Sequence, residues 1–219
     1  RFDAIWGLIG PPLPNHLLKS SCVSIVTTPR LIPGARLIFS DAPPITVLPQ
    51  DRDGWRSLCR IISRGRLKAK KGVCSLQLSD LEEFKNGLNL LIWPQVQIVE
   101  DCPVDWQQIA QRLMRCFNGK IYVLMVPYYN GHDAARFEYI ADQAQNLGLP
   151  TLASAAPYMH HGARRKLADV VTAIRTGSRV DDLGRSALAN GEGRLRSEAE
   201  MQRLFAGNQD SVMRTGILA

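Results

Sequence analysis

Apolar residues cluster in five short runs, at 36–39, 45–48, 88–93, 121–126 and 150–153, and the stretches between them are mixed in polarity. Runs of this length bounded by turn residues predict strands. Between them, apolar side chains return every three or four positions, the spacing of one helix face. Trp55, Leu58, Ile61 and Ile62 form one such set, Leu81 and Phe84 a second, and Trp106, Ile109, Ala110, Leu113 and Met114 a third; each can face a sheet. Ala134, Phe137, Ile140, Ala141 and Ala144 form a fourth, closed by Gly148 and then Pro150, a C-cap glycine followed by a proline stop. A further helix is expected over 162–175 through Leu167, Val170, Val171 and Ile174, ending at Gly177, and short helical pieces over 198–205 and 210–218. Strands alternating with amphipathic helices predict an α/β fold of β-α units around a largely parallel sheet.

The first 29 residues break this pattern. Pro11, Pro12 and Pro14 crowd together, charges are sparse, and the apolar positions keep neither helical nor strand period. The expected organisation is an irregular segment over 1–29, a β/α domain over 30–177, and a polar linker with a helical tail over 178–219. The chain contains no internal repeat.

At 219 residues and 45% hydrophobic composition, one domain can bury roughly 70% of its unfolded surface without staples. Five cysteines are an odd number with no Cys-x-x-Cys spacing, which argues against a disulfide framework and a zinc knuckle and points to the reducing cytoplasm. No apolar run reaches the eighteen or so residues of a membrane span. A net charge of +7 favours an anionic partner such as nucleic acid.

Much of that charge lies in one place. Arg56, Arg60 and Arg64 are spaced by four and share a helix face opposite Leu58, Ile61 and Ile62, and Arg66, Lys68, Lys70 and Lys71 continue the run into a loop. Such a face can lie along a phosphate backbone; alternatively it is a solvated surface balanced by acids elsewhere in the fold. The run lacks interleaved aromatics at its end, so it offers charge without base stacking.

His160 and His161 follow the strand at 150–153, at the carboxyl end where α/β folds gather ligands. A metal centre needs three or four converging ligands, and the remaining histidines are His16 and His132. The run Ala153-Ser154-Ala155-Ala156 supplies no carboxylate. No cofactor is expected; the alternative is zinc or manganese near His160. The sequence lacks a Gly-x-Ser-x-Gly elbow, a Gly-rich phosphate loop with Lys-Ser/Thr, and a Gly-x-Gly-x-x-Gly fingerprint. Cys59, beside Arg60, and Trp55, Trp93 and Trp106 are expected in the core.

Several stretches together resemble the PHP (polymerase and histidinol phosphatase) domain of bacterial error-prone DNA polymerases, C-family relatives of the polymerase III alpha subunit. They are residues 31–37, Leu-Ile-Pro-Gly-Ala-Arg-Leu; the segment from Asp53 to Arg66 with Lys71-Gly72 and Leu78-Ser79-Asp80-Leu81-Glu82; His160 with residues 164–175; and Glu200-Met201-Gln202-Arg203-Leu204-Phe205. They occur in the family's order between Arg30 and Phe205.

The resemblance implies an incomplete distorted β/α barrel of PHP type with a C-terminal helical tail. It also implies a role in DNA replication and damage-tolerant synthesis, with DNA, other polymerase regions or translesion subunits as partners. The departures bear on activity. Residues 1–29 lack the family's metal-binding histidine strand and Thr-Asp motif, Ala156 stands where the family places an acid, and Val126, Pro127, Tyr128 and Tyr129 stand where relatives carry His and Arg. His160 is the one matched candidate ligand, and the polymerase's catalytic carboxylates are absent. The expected role is therefore scaffolding and DNA or partner contact, with a metal-dependent phosphoesterase or exonuclease as the alternative. The pattern also suggests a truncated or frame-disrupted copy.

Overall fold

The computed structural model describes residues 8–9, 31–95, 105–117 and 120–218. The segment expected to be irregular, 1–29, lies outside the described residues except for β1 (Leu8–Ile9), which pairs antiparallel with β2 (Leu31–Ile32). The main sheet has five strands in chain order: β3 (Ala35–Leu37), β4 (Ile45–Pro49), β5 (Leu88–Ile92), β6 (Ile121–Met125) and β7 (Thr151–Ala153). All five predicted strands are present with ends shifted by one or two residues. The sheet is open, and with seven α-helices among the described residues the fold is mixed α/β.

The expectation of a largely parallel sheet is corrected. β5–β6 and β6–β7 are parallel, but β3–β4 and β4–β5 are antiparallel. The link between β3 and β4 is too short for a parallel crossover, which takes a dozen or more residues. Between β4 and β5 the chain leaves through α1 (Arg52–Leu67) and returns through a loop and α2 (Leu78–Glu83), so Gln50 N–H donates to Gly87 C=O at 2.8 Å. α3 (Trp106–Cys116) and α4 (Asp133–Asn146) serve the two parallel crossovers.

These four helices cover one face of the sheet. Leu58, Ile61, Leu81, Trp106, Leu113, Phe137 and Ile140 form a single core with the alternate strand positions Leu37, Val47, Leu90, Val123 and Met125. The opposite strand positions, Leu48, Leu91, Leu124 and Leu152, belong to a second, smaller cluster with Trp93 and Val126. Each fully buried leucine or isoleucine contributes about 1.5–3 kcal/mol relative to an exposed one.

The tail turns back onto the domain. After α5 (Arg165–Thr176), stopped by left-handed Gly177, come α6 (Glu198–Leu204) and α7 (Gln209–Leu218). Phe205 is fully buried and stacks on Phe137, centroids 4.7 Å apart. α7 lies along β7, where the Ser211 and Thr151 hydroxyls meet at 2.6 Å and the Thr215 hydroxyl donates to Ala153 C=O.

Two expected core positions are corrected. Trp55 is 48% exposed, and Cys59 is exposed. The buried stripe of α1 is Gly54, Leu58, Ile61 and Gly65, so the closest packing runs through two glycines and turns Trp55 and Cys59 outward. Trp93 and Trp106 are buried as expected, whereas Met114 is exposed. The large apolar residues of α5, Leu167, Val170, Val171 and Ile174, are also open, Ile174 being 76% exposed, and Ala173 is its buried position.

Candidate nucleic-acid interface and carboxyl-edge cleft

The basic run starts on the outer side of α1, with Arg56, Arg60, Arg64 and Arg66, and continues past its end through Lys68, Lys70 and Lys71; the N-cap of α1, Asp51, accepts from Gly54 N–H at 2.7 Å. Its cations are not equivalent. Arg56 pairs with Asp53 one turn earlier at 2.6 Å, between exposed side chains, a pair of little energetic weight. Arg64 engages Glu83 through both guanidinium nitrogens and stacks over Phe84, 4.6 Å from its centroid. Lys68 meets Asp80 at 2.6 Å. The acids that balance Arg64 and Lys68 thus come from α2, against which α1 packs.

Asp80 is the buried member of this group. Burial pushes its carboxyl up, but the Gln77 N–H, Lys68 and Arg64 together outweigh that and hold it below the ordinary carboxylate range. Arg60, Lys70 and Lys71 are exposed and have no ion pair among the described residues; Arg66 is exposed as well. The structure therefore divides the seven predicted cations: three are engaged by acids of the fold, and Arg60, Lys70 and Lys71 face solvent.

A cleft of about 280 Å³ opens at the carboxyl ends of β5, β6 and β7. Trp93 follows β5, Tyr128 and Tyr129 follow β6, and Ala156 and Tyr158 follow β7. The remaining wall comes from the tail, including Asn190 and Gly193. Two non-glycine residues here have left-handed backbone, Tyr129 at φ 54° and Ala156 at φ 40°. Such conformations cost of order 1–3 kcal/mol and persist where the surroundings hold them.

The holding contacts are specific. Asp133, at the start of α4, accepts from Tyr128 N–H and Tyr129 N–H, both at 2.8 Å, and pairs with buried Arg136. The Asn190 amide donates to Tyr129 C=O at 3.2 Å, and Arg196 lies 5.2 Å from the Tyr129 ring and donates to its hydroxyl. Ala156 N–H donates to the Ser154 hydroxyl at 3.1 Å.

Glu200 joins the tail arginines to the start of α6. It meets Arg194 at 2.5 Å, and the Ser197 N–H donates to it in a capping box. The Arg194 hydrogen bond and then the Ser197 N–H hold its carboxyl at about 2. A depressed carboxylate contributes stability that is complete above its unfolded value, near 4.3, and is lost as pH falls through about 2. The urea midpoint is therefore expected to fall between pH 5 and pH 2.5 by more in the native chain than in Glu200→Gln; equal falls would show that this carboxylate is uncoupled from folding.

His160 is exposed and does not line the cleft. His161 caps a single 3-10 turn (Gly162–Arg164), its Nδ1 accepting from Ala163 N–H at 3.2 Å. His132 is exposed before α4, and His16 lies outside the described residues. Among the described residues no three His, Cys, Asp or Glu side chains converge as a metal site, and no helix is long and apolar enough to cross a membrane. Sequence reading missed Asn190, which lines the cleft, and Arg196, which holds Tyr129; the local signal was Tyr128-Tyr129-Asn130-Gly131 ahead of Asp133, a turn leading into a helix start.

The fold and site together define an open α/β module with a charged helix on its covered face and an aromatic cleft at the carboxyl edge of its parallel strands. No family model matches the chain. It is similar to part of proteins named error-prone DNA polymerase, among them the following three. The one from Rhodopseudomonas palustris (strain BisB5) is 36% identical over 197 residues, which are 87% of this chain and 17% of that protein. Those from Sinorhizobium medicae (strain WSM419) and Ruegeria pomeroyi (strain ATCC 700808 / DSM 15171 / DSS-3) are each 36% identical, over 84% and 85% of this chain and 16% and 17% of theirs. The chain thus matches part of such a polymerase and spans about a sixth of the length of these relatives.

Proposed function

We propose that this chain is a PHP-type module of an error-prone DNA polymerase, non-catalytic in itself, that scaffolds and contacts DNA, another polymerase region or a translesion subunit through α1. The observation that carries this reading is the 36% identity to error-prone DNA polymerases across most of the chain. The placement of α1 to α4 on one sheet face, with the cleft at the carboxyl edge, supports an origin in a β/α barrel. Ala156, Tyr128 and Tyr129 at that edge support a scaffolding role, because these side chains put no carboxylate or imidazole there.

The contact surface is built from Arg60, Lys70 and Lys71, with Arg56, Arg64, Arg66 and Lys68 contributing beside them. About four phosphate contacts would weaken binding to primer-template DNA by about 10² between 50 and 200 mM salt. Fluorescence anisotropy across a salt series is expected to give that slope. Arg60→Ala with Lys70→Ala and Lys71→Ala is expected to lower it by about 0.9 for each phosphate no longer neutralised. Salt-independent or absent binding would remove the DNA arm of the proposal. The rival, a metal-dependent phosphoesterase, predicts near-stoichiometric zinc or manganese held near His160 in the purified chain by elemental analysis; the scaffold reading predicts neither.

A further inference from the structure

We propose that the cleft at the carboxyl ends of β5, β6 and β7 binds a planar heteroaromatic ring, as an unpaired nucleobase of a single strand or as a free nucleoside. The inference stands on the cleft and does not require the polymerase reading.

Its walls are aromatic from three successive strand ends: Trp93, Tyr128 with Tyr129, and Tyr158. Small residues leave the space between them, with Ala156 beneath and Gly193 where a Cβ would stand 3.0 Å from the Tyr158 ring. A volume of about 280 Å³ is at the lower end of small-ligand sites, which begin near 300 Å³, and suits one base or nucleoside. The rings are also pre-positioned. Guanidinium groups lie over three of them, Arg36 at 4.7 Å from the Trp93 centroid, Arg136 at 4.2 Å from Tyr128 and Arg196 at 5.2 Å from Tyr129. Each guanidinium occupies one side of its ring and fixes it, so less side-chain freedom is lost when a ligand stacks on what remains.

The polar content points the same way. Two of the three guanidiniums are engaged by acids, Arg136 by Asp133 and Arg196 by Glu192 and Glu200. Asn190 lines the cleft; its carboxamide donates to Tyr129 C=O and accepts from Glu192 N–H, which leaves one N–H and one lone pair for a base edge. The strained backbone at Tyr129 and Ala156 sets the shape of the floor, and its maintenance by Asp133 and Asn190 is consistent with a binding surface formed in advance.

The test uses the whole 219-residue chain. Its intrinsic tryptophan emission is titrated with adenosine, with thymidine, with a single-stranded oligonucleotide of about eight nucleotides, and with the same strand made abasic, which keeps the phosphates and removes the rings. Both nucleosides are expected to bind, and the base-bearing strand to bind at least about tenfold tighter than the abasic one. Tyr158→Ala, at a residue 63% exposed, and Ala189→Trp, a cleft residue whose enlargement fills the space, are expected to reduce the base-bearing strand to the abasic level and to leave abasic binding unchanged. Equal affinity for the two strands together with no nucleoside binding would overturn the proposal, as would either variant leaving nucleoside affinity unchanged. A tryptophan-containing peptide binding more tightly than every nucleoside would overturn the ligand class. Nucleoside binding with no salt-dependent binding of the abasic strand would sustain this proposal while removing the DNA role of α1.

Discussion

Replacing Asp133 by alanine is expected to destabilise the chain by about 3–5 kcal/mol, because it breaks a buried ion pair and strips two backbone N–H groups of their acceptor. Arg136 is 2% exposed, and Asp133 is its acidic partner one turn earlier on α4. Asn130 and the Tyr128 ring also contact that guanidinium. The same substitution removes the acceptor for two backbone N–H groups, those of Tyr128 and Tyr129, the second of which sits in left-handed conformation. For a domain of this size, each kcal/mol lowers the melting temperature by about 2–4 °C, so a fall of about 10 °C is expected by circular dichroism. Asp133→Asn keeps one acceptor oxygen without the charge and is expected to fall between the two. A shift below about 2 °C for Asp133→Ala would mean that the Arg136 charge is satisfied without it.

The elements along this chain were legible because each apolar run and each helical face is written locally. Gly148 after the fourth apolar set and Gly177 after the fifth marked helix ends, and both have left-handed backbone. What was not legible depends on partners distant in sequence. The direction of β4 relative to β5 is decided by the return path from Lys68 to Gly87, which has no periodic signature. Apolar spacing points Trp55 and Cys59 inward, whereas Gly54 and Gly65 share the packed face with Leu58 and Ile61, and hydrophobic spacing gives glycine no weight.

The site divides in the same way. The seven cations were visible as a run, but which of them remain available was not, since Glu83 reaches Arg64 across 19 residues and Asp80 reaches Lys68 across 12. The cleft was visible only as positions where expected metal-binding residues are replaced. Its shape comes from Asn190 and Arg196, which approach Tyr129 from more than 60 residues away. The stacking of Phe205 on Phe137 brings the tail home and so places those residues, a contact that neither local segment announces.

The second large effect is expected at Gly54, where two opposing terms can be compared. In an exposed helix interior, glycine to alanine stabilises by about 1 kcal/mol through backbone entropy. At Gly54 a Cβ would stand 1.9 Å from the carbonyl oxygen of Gly87 and 2.7 Å from its carbon. That wall is backbone, fixed by the hydrogen bond from Gln50 N–H, and Gly87 itself has φ 68°, so it cannot withdraw as a side chain would. Overpacking of this kind costs typically 1–3 kcal/mol and more against an unyielding neighbour, so the clash outweighs the propensity gain. Gly54→Ala is therefore expected to lose about 2 kcal/mol or more, seen as a lower urea midpoint with an unchanged slope. Gly65→Ala gives the comparison: its Cβ would meet the Cys74 sulfur at 2.5 Å and the Leu76 side chain at 2.6 Å, groups that can rotate aside. The expected order is a larger loss at Gly54 than at Gly65. The reverse order would mean that the α1 to Gly87 junction yields more easily than the packing beneath the end of the basic helix.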